Sequence, residues 1–362
     1  MKLAIVGASS AVGARATERF HLVDGHEVLA LVRAPAGLAL PSRFNLETRL
    51  ADPLDTDAMA RAFSGCAAVL HTANGDPAQL ERMPAALCLA ARAAGVHRLI
   101  YLSSALVHGP TPPAGADETS PLAPHQPLEL GRARVRAEQK FFAECQRQGL
   151  VGFALRPGWI YGPRSPWFGE IAADLIAGRA WLYEGGRNHC NATYVDNVVH
   201  AITCCLQAPD NAAGPYLIGD GEPLLWERLY RELAAQLDVP WSTVQQISQL
   251  PAFKRSWRDR AGQAAAHPFL QRLLPLVPHR LKRGAKAVID AGAPRSDSWS
   301  LPNGPRPHIT QEMALAQQCT WSLSHRRATE QLDYHPIVTY PEGLERSVAW
   351  WRFAQGEFSL AA

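Results

Sequence analysis

The sequence predicts an α/β fold, a doubly wound parallel sheet with helices on both faces and a smaller mixed C-terminal region. Three observations carry this. From Lys2 to Leu102 short apolar runs alternate with helix-period segments, the first run ends in a glycine turn, and past about residue 165 the beat becomes irregular and richer in Pro and Trp. A strand that returns to its sheet through a helix runs parallel to its neighbour, so the alternation implies a parallel sheet covered on both faces.

The elements follow in order. Lys2-Leu-Ala-Ile-Val6 is a strand ending at Gly7, and a helical pattern continues through Arg15 and Phe20. Glu27–Val32 reads as a strand, Thr56–Phe63 as a helix, Ala67–His71 as a strand, Arg82–Ala94 as a helix and Arg98–Leu102 as a strand. A ligand crevice is expected at the C-terminal ends of these strands, where their order reverses. Strand-like runs recur at Asn191–Asp196 and Gly214–Ile218. Residues 1–165 are therefore expected to form the first domain with 190–221 returning to it, and 166–362 a second region.

The chain has 362 residues, 47% hydrophobic and 19% charged, an ordinary globular composition. No apolar run reaches the ~18 residues a membrane span needs. Met1-Lys2 leads straight into a strand pattern and not a signal peptide, so the cytoplasm is the expected compartment. Seven cysteines without a C-x-x-C pair indicate neither a disulfide framework nor a zinc site, and no metal is expected.

The net charge of +3 conceals an asymmetry. Between Pro251 and Arg295 ten basic residues stand against Asp259 and Asp290, which puts +8 there and −5 on the remainder. No nucleic-acid motif accompanies the charge. A basic lid-like insertion over 240–300 is the preferred reading, ahead of a membrane-surface face or a solvated helical face. Such a lid suits an anionic or thioester-linked substrate, or an acidic carrier protein.

Gly7-Ala8-Ser9-Ser10-Ala11-Val12-Gly13 sits in a strand-turn-helix context. The N-terminus of the following helix offers free N–H groups and a positive dipole end to a pyrophosphate. A plain tight turn would also explain two glycines.

Longer motifs decide between these readings. Ser103-Ser104-Ala-Leu-Val-His108-Gly109, Leu155-Arg-Pro157-Gly-Trp-Ile-Tyr161-Gly-Pro163, Tyr194-Val-Asp-Asn-Val198, Leu332-Asp-Tyr-His-Pro336 and Pro341-Glu-Gly-Leu344 stand in sequence order. Together they resemble the extended short-chain dehydrogenase/reductases, the epimerase/dehydratase and 3-beta-hydroxysteroid-dehydrogenase-like branch, with a Rossmann-like fold. The likeness spans nearly the whole chain outside 240–300.

The resemblance implies a nucleotide site made by Gly7, Ser9, Ser10, Ala11, Val12 and Gly13, with Ser10 replacing the family's middle glycine. It also implies Asp52 and Pro53 at the adenine, Thr72, Ala73 and Asn74 along the pyrophosphate, and Arg134 and Pro157 at the nicotinamide. Arg33 stands where an NAD enzyme carries an acidic residue, so NADP is expected, with NAD as the alternative. Family precedent adds a homodimer and a small-molecule substrate bound by 166–362.

One departure is chemical. The family's Tyr-x-x-x-Lys reads Leu130-Gly-Arg-Ala-Arg134. Carbonyl reduction delivers a proton to a developing alkoxide, and a positioned acid contributes ~10²–10⁴-fold, about 3–5 kcal/mol. Leucine supplies none. The resemblance leaves Ser104 as the catalytic serine and Arg134 as a retained positive charge, with His108 the expected substitute acid. His125, Glu129 and Tyr161 lie near the site in sequence. The reading is an atypical NADP(H)-dependent oxidoreductase or related lyase or isomerase; the alternatives are a non-catalytic nucleotide-binding regulator and a cofactor-independent cyclase or dehydratase.

Overall fold

The computed structural model describes residues 1–39, 41–253 and 306–355. The first half builds the expected beat: β1 (Lys2–Val6), α1 (Ala11–Leu22), β2 (Glu27–Val32), β3 (Glu47–Leu50), α2 (Thr56–Phe63), β4 (Ala68–His71), α3 (Pro77–Ala94), β5 (Arg98–Leu102), α4 (Glu129–Gln148) and β6 (Val151–Pro157). Side chains of β1 divide between two buried layers. Ala4 and Val6 pack with Met59, Phe63 and Leu87 on one face, while Leu3 and Ile5 pack with Val12, Ala16 and Phe20 on the other. That double burial is why the strands read as unbroken apolar runs.

Seven strands pair in parallel in the order β10-β6-β5-β4-β1-β2-β3, where β10 is Gly214–Ile218. The order reverses between β1 and β4, and the crevice opens there at the strands' C-terminal ends. Between β6 and β10 the chain makes a long excursion through β7 (Trp159–Tyr161), α5 (Pro166–Ile176), β8 (Trp181–Tyr183), β9 (Ala192–Tyr194) and α6 (Val195–Gln207). After β10 come α7 (Trp226–Gln236), β11 (Gln245–Ile247), α8 (Gln311–Ala316), α9 (Arg326–Leu332) and α10 (Tyr340–Ala354). β7 pairs with β9 and β8 with β11, giving two small parallel pairs beside the main sheet.

Two boundaries differ from the sequence reading. The helix expected over Arg82–Ala94 starts at Pro77, because Asp76 caps it by accepting from the Gln79 amide at 2.8 Å and Pro77 suits the first turn. The strand expected over Asn191–Asp196 stops at Tyr194, whose amide is taken by Asp220, and Val195 opens α6. Of the basic lid-like insertion, residues 254–300 lie outside the described residues. Among the described residues no helix is long and apolar enough to cross a membrane.

Candidate active site

The turn after β1 is sterically closed to anything but glycine at both ends. Gly7 has φ +84°, and a Cβ there would lie 2.6 Å from the Ala73 backbone; at Gly13 it would lie 2.2 Å from the Gly7 carbonyl oxygen. Ser10 does not cross this path. Its Oγ accepts from the Gly13 amide at 3.0 Å and donates to Thr72 Oγ1 at 3.1 Å, so the side chain caps α1 and ties it to the loop after β4. Among the described residues no protein group takes the Ala11 and Val12 amides, which are left to a diphosphate. The residues present therefore fit a dinucleotide.

Around this turn the other expected contacts are spread along the crevice. Arg33 is exposed just past β2, donating to Gln79 Oε1 at 3.1 Å. Asp52 is exposed and accepts from the Leu54 amide at 2.9 Å, beside buried Pro53. Ser9 is exposed and Ala73 half-buried against Gly7. His71, by contrast, is wholly buried and stacks on Tyr101 with centroids 5.3 Å apart; burial pushes its pKa down to about 4 and leaves a neutral core ring.

A cavity of about 280 Å³ runs from Ser10, Ala11 and Val12 past Asn74, Ser104, Leu130, Arg134 and Pro157 to a wall of indoles. Ser104 ends the bend after β5, its Oγ accepting from the Leu106 amide at 3.2 Å. Leu130 is the second residue of α4, and Arg134 follows one turn on, donating to Asn74 Oδ1 at 3.3 Å. The start of α4 is pressed against the serine loop. A Cβ at Gly131 would sit 2.0 Å from Gln126 Oε1, and Gln126 Nε2 donates to the Leu106 carbonyl at 2.8 Å.

His108 does not line this cavity. It is buried on the far side of the loop, where its Nε2 receives an N–H from Arg156 at 3.0 Å and its Nδ1–H faces the Pro121 carbonyl at 3.4 Å. Burial and the adjacent guanidinium lower its pKa, so the ring is a neutral acceptor inside a network. Arg156 also grips Glu138 with Nε, 3.1 Å from both carboxylate oxygens, and Ser103 donates to Glu138 Oε2 at 2.5 Å. This buried cluster ties β6, α4 and the serine loop together. His125 and Glu129 are exposed away from the cavity, and burial holds the Tyr161 phenol well above its usual range.

Three groups of the cavity were not placed there by the sequence. Glu312 enters from the first turn of α8, His189 from the loop before β9, and Trp159, Trp167 and Trp321 form the far wall. Thr310 could have marked a helix start, since its Oγ1 accepts from the Met313 amide, but nothing linked that helix to Ser104. Glu312 is exposed along the cavity, yet enough protein surrounds it that burial raises its pKa; Arg134 opposes the shift and Glu170 adds to it.

A parallel sheet with a glycine turn at its switch point, and a serine facing the helix that follows β5, define a dinucleotide-dependent enzyme fold. A family of NAD(P)H-binding domains matches residues 7–165. The chain is 30% identical over 241 residues to a 3-diazoavenalumate denitrifying reductase of a Streptomyces species, spanning 62% of this chain and 77% of that protein. It is 27% identical over 253 residues to a 3-beta-hydroxysteroid dehydrogenase of Mycolicibacterium neoaurum, where it spans 66% of that protein, just under two thirds. Two solved structures share the fold across their length: UDP-glucuronic acid 4-epimerase from Bacillus cereus with NAD, at TM-score 0.69, 15% identity and full coverage of both chains, and dTDP-glucose 4,6-dehydratase from Streptomyces venezuelae, at 0.67, 20% and 99% of both. The chain belongs to the extended short-chain dehydrogenase/reductase superfamily and is an NAD(P)-dependent enzyme.

Proposed function

We propose an NADP(H)-dependent reductase that works on a small substrate in this cavity without a tyrosine acid. Leu130 carries the reading: an apolar side chain fills the acid position on the wall shared with Ser104 and Arg134, while the nucleotide crevice is intact. Gly7, Ser10, Ala11, Val12, Gly13, Thr72 and Ala73 cradle the diphosphate, and Ser9, Asp52 and Pro53 border the adenosine. Arg33 selects a 2′-phosphate, and Asn74, Arg134 and Pro157 border the nicotinamide. When bound, the cofactor supplies or accepts a hydride. The reductase and dehydrogenase relatives support redox chemistry over epimerisation.

The chain's own groups then divide the remaining work. Ser104 Oγ accepts from Leu106, which leaves its O–H to donate to a substrate oxygen and stabilise charge developing there. His108, spent on Arg156, is replaced by Glu312 as the proton carrier. It lines the cavity with Arg134, and the raised pKa that burial gives it keeps it protonated further up the pH scale than an ordinary glutamate.

The test is NADPH-dependent reduction of benzaldehyde as a function of pH. Wild-type turnover should fall as pH rises through the raised carboxyl pKa, because the donor is then lost. Glu312→Gln should remove that limb and about 10²-fold of rate, with NADPH affinity by calorimetry unchanged. NADPH binding without turnover would defeat the reductase reading, and an unaltered pH profile in the variant would remove Glu312 from it.

A further inference from the structure

We infer that the substrate end of the cavity is a slot for a flat aromatic molecule with one hydrogen-bonding oxygen, and that it does not take a nucleotide sugar. The inference rests on the cavity being the cofactor-dependent site described above, and names its substrate class. It comes from which polar groups are already committed.

Trp167 donates its Nε1–H to the Ile160 carbonyl at 2.6 Å, and Trp321 donates to the Ala116 carbonyl at 2.9 Å. Both indoles line the cavity with carbon and keep their donors in the protein. Trp159 stands edge to face with Trp167, centroids 5.5 Å apart at 67°. Trp226, fully buried, backs both at 6.3 and 6.5 Å and holds their planes.

The polar side chains between the indoles are equally occupied. Ser165 Oγ donates to the Ile160 carbonyl at 2.9 Å. Asn191 Nδ2 donates to the Trp321 carbonyl at 2.9 Å, and its Oδ1 accepts from the Leu323 amide at 2.9 Å. Leu106, Pro110, Pro112, Leu128 and Leu130 complete the lining with carbon. What remains for a ligand is the Ser104 O–H, the Trp159 N–H, His189 and Glu312.

A sugar diphosphate brings two or more negative charges and a ring of hydroxyls, each of which needs a partner on leaving water. Among the described residues of the cavity Arg134 is the one arginine or lysine, and it is engaged with Asn74 on the nucleotide side, facing Glu312. Among the described residues the slot would leave a diphosphate unpaired. An aromatic ring loses little there, gains offset or edge contacts with the indoles, and places a conjugated oxygen at Ser104.

Saturation-transfer NMR and calorimetry on the NADP⁺-loaded protein test this with benzalacetone, a flat aryl enone, and UDP-glucose. Benzalacetone should bind saturably with its ring protons most strongly saturated, and UDP-glucose should not bind. Trp167→Leu should weaken benzalacetone at least tenfold, with NADPH affinity and the circular dichroism spectrum unchanged; Trp167→Phe, which keeps a ring and is the safer variant for folding, should retain most of the affinity. Binding of UDP-glucose, failure of benzalacetone to bind, or indifference to Trp167→Leu would each overturn the slot. Failure of the wild type to bind NADPH in the first titration would instead remove the cofactor-dependent site on which it rests.

Discussion

The two walls of the cavity are built by different rules. The sheet-side wall, from Ser10 to Pro157, presents backbone amides, short side chains and one arginine, at positions close to a strand end or a helix start. The far wall, from Trp159 to Trp321, presents indoles, and those of Trp167 and Trp321 have their own donors consumed behind them. Under the proposed function the first wall would serve the cofactor and the second the substrate. Leu130 lies at the seam, and its apolar side chain extends the character of the second wall into a place where the first usually supplies a phenol.

The comparison can be broken at three depths. The largest effect is expected beneath both walls. Glu138→Ala strands the Arg156 guanidinium, 4% exposed, without a counter-charge, and removal of one partner from such a pair costs about 3–5 kcal/mol. Urea denaturation should show that loss, whereas replacing both residues by leucine should cost much less. A middle effect is expected at the first wall alone. Gly13→Ala forces a methyl against the Gly7 carbonyl, an overpacking of about 1–3 kcal/mol that falls on the nucleotide turn. NADPH binding should weaken by calorimetry while benzalacetone still binds, which would show that the walls act separately. The smallest is at the rim. Arg33→Ala should reduce the preference for NADPH over NADH about tenfold, roughly 1.4 kcal/mol, and an unchanged ratio would take Arg33 out of cofactor choice.

The first wall was legible in the sequence because its chemistry is local. The positive φ at Gly7 and the close approach of Gly13 to the Gly7 carbonyl both arise inside one strand-turn-helix, and Ser103-Ser104 and Arg156-Pro157 lie at the ends of strands that the apolar runs announce. His108 shows where locality fails. Its position four residues past Ser104 is right for a loop beside the site, but its orientation is set by Arg156 and Pro121, and no spacing rule carries that information. Glu312 and Trp321 fail for the opposite reason, since they reach the cavity from beyond a break in the likeness and only the folded chain brings them to Ser104. Trp159 was visible inside the Leu155–Pro163 motif, and Trp167 and Trp321 in the irregular stretch after residue 165. Their meaning depended on where each N–H went.

The placement of β10 also bears on how this protein can be divided. The family match ends at residue 165, yet the last pairing partner of β6 lies at Gly214–Ile218, where Tyr216 stacks on Phe153 with centroids 6.4 Å apart. A fragment cut at 165 would carry a bare seven-residue strand edge whose unpaired amides and carbonyls, flanked by Phe153 and Leu155, form a template for pairing with another copy of itself. The nucleotide domain is thus complete as a fold only when the chain that builds the aromatic wall has gone out and come back.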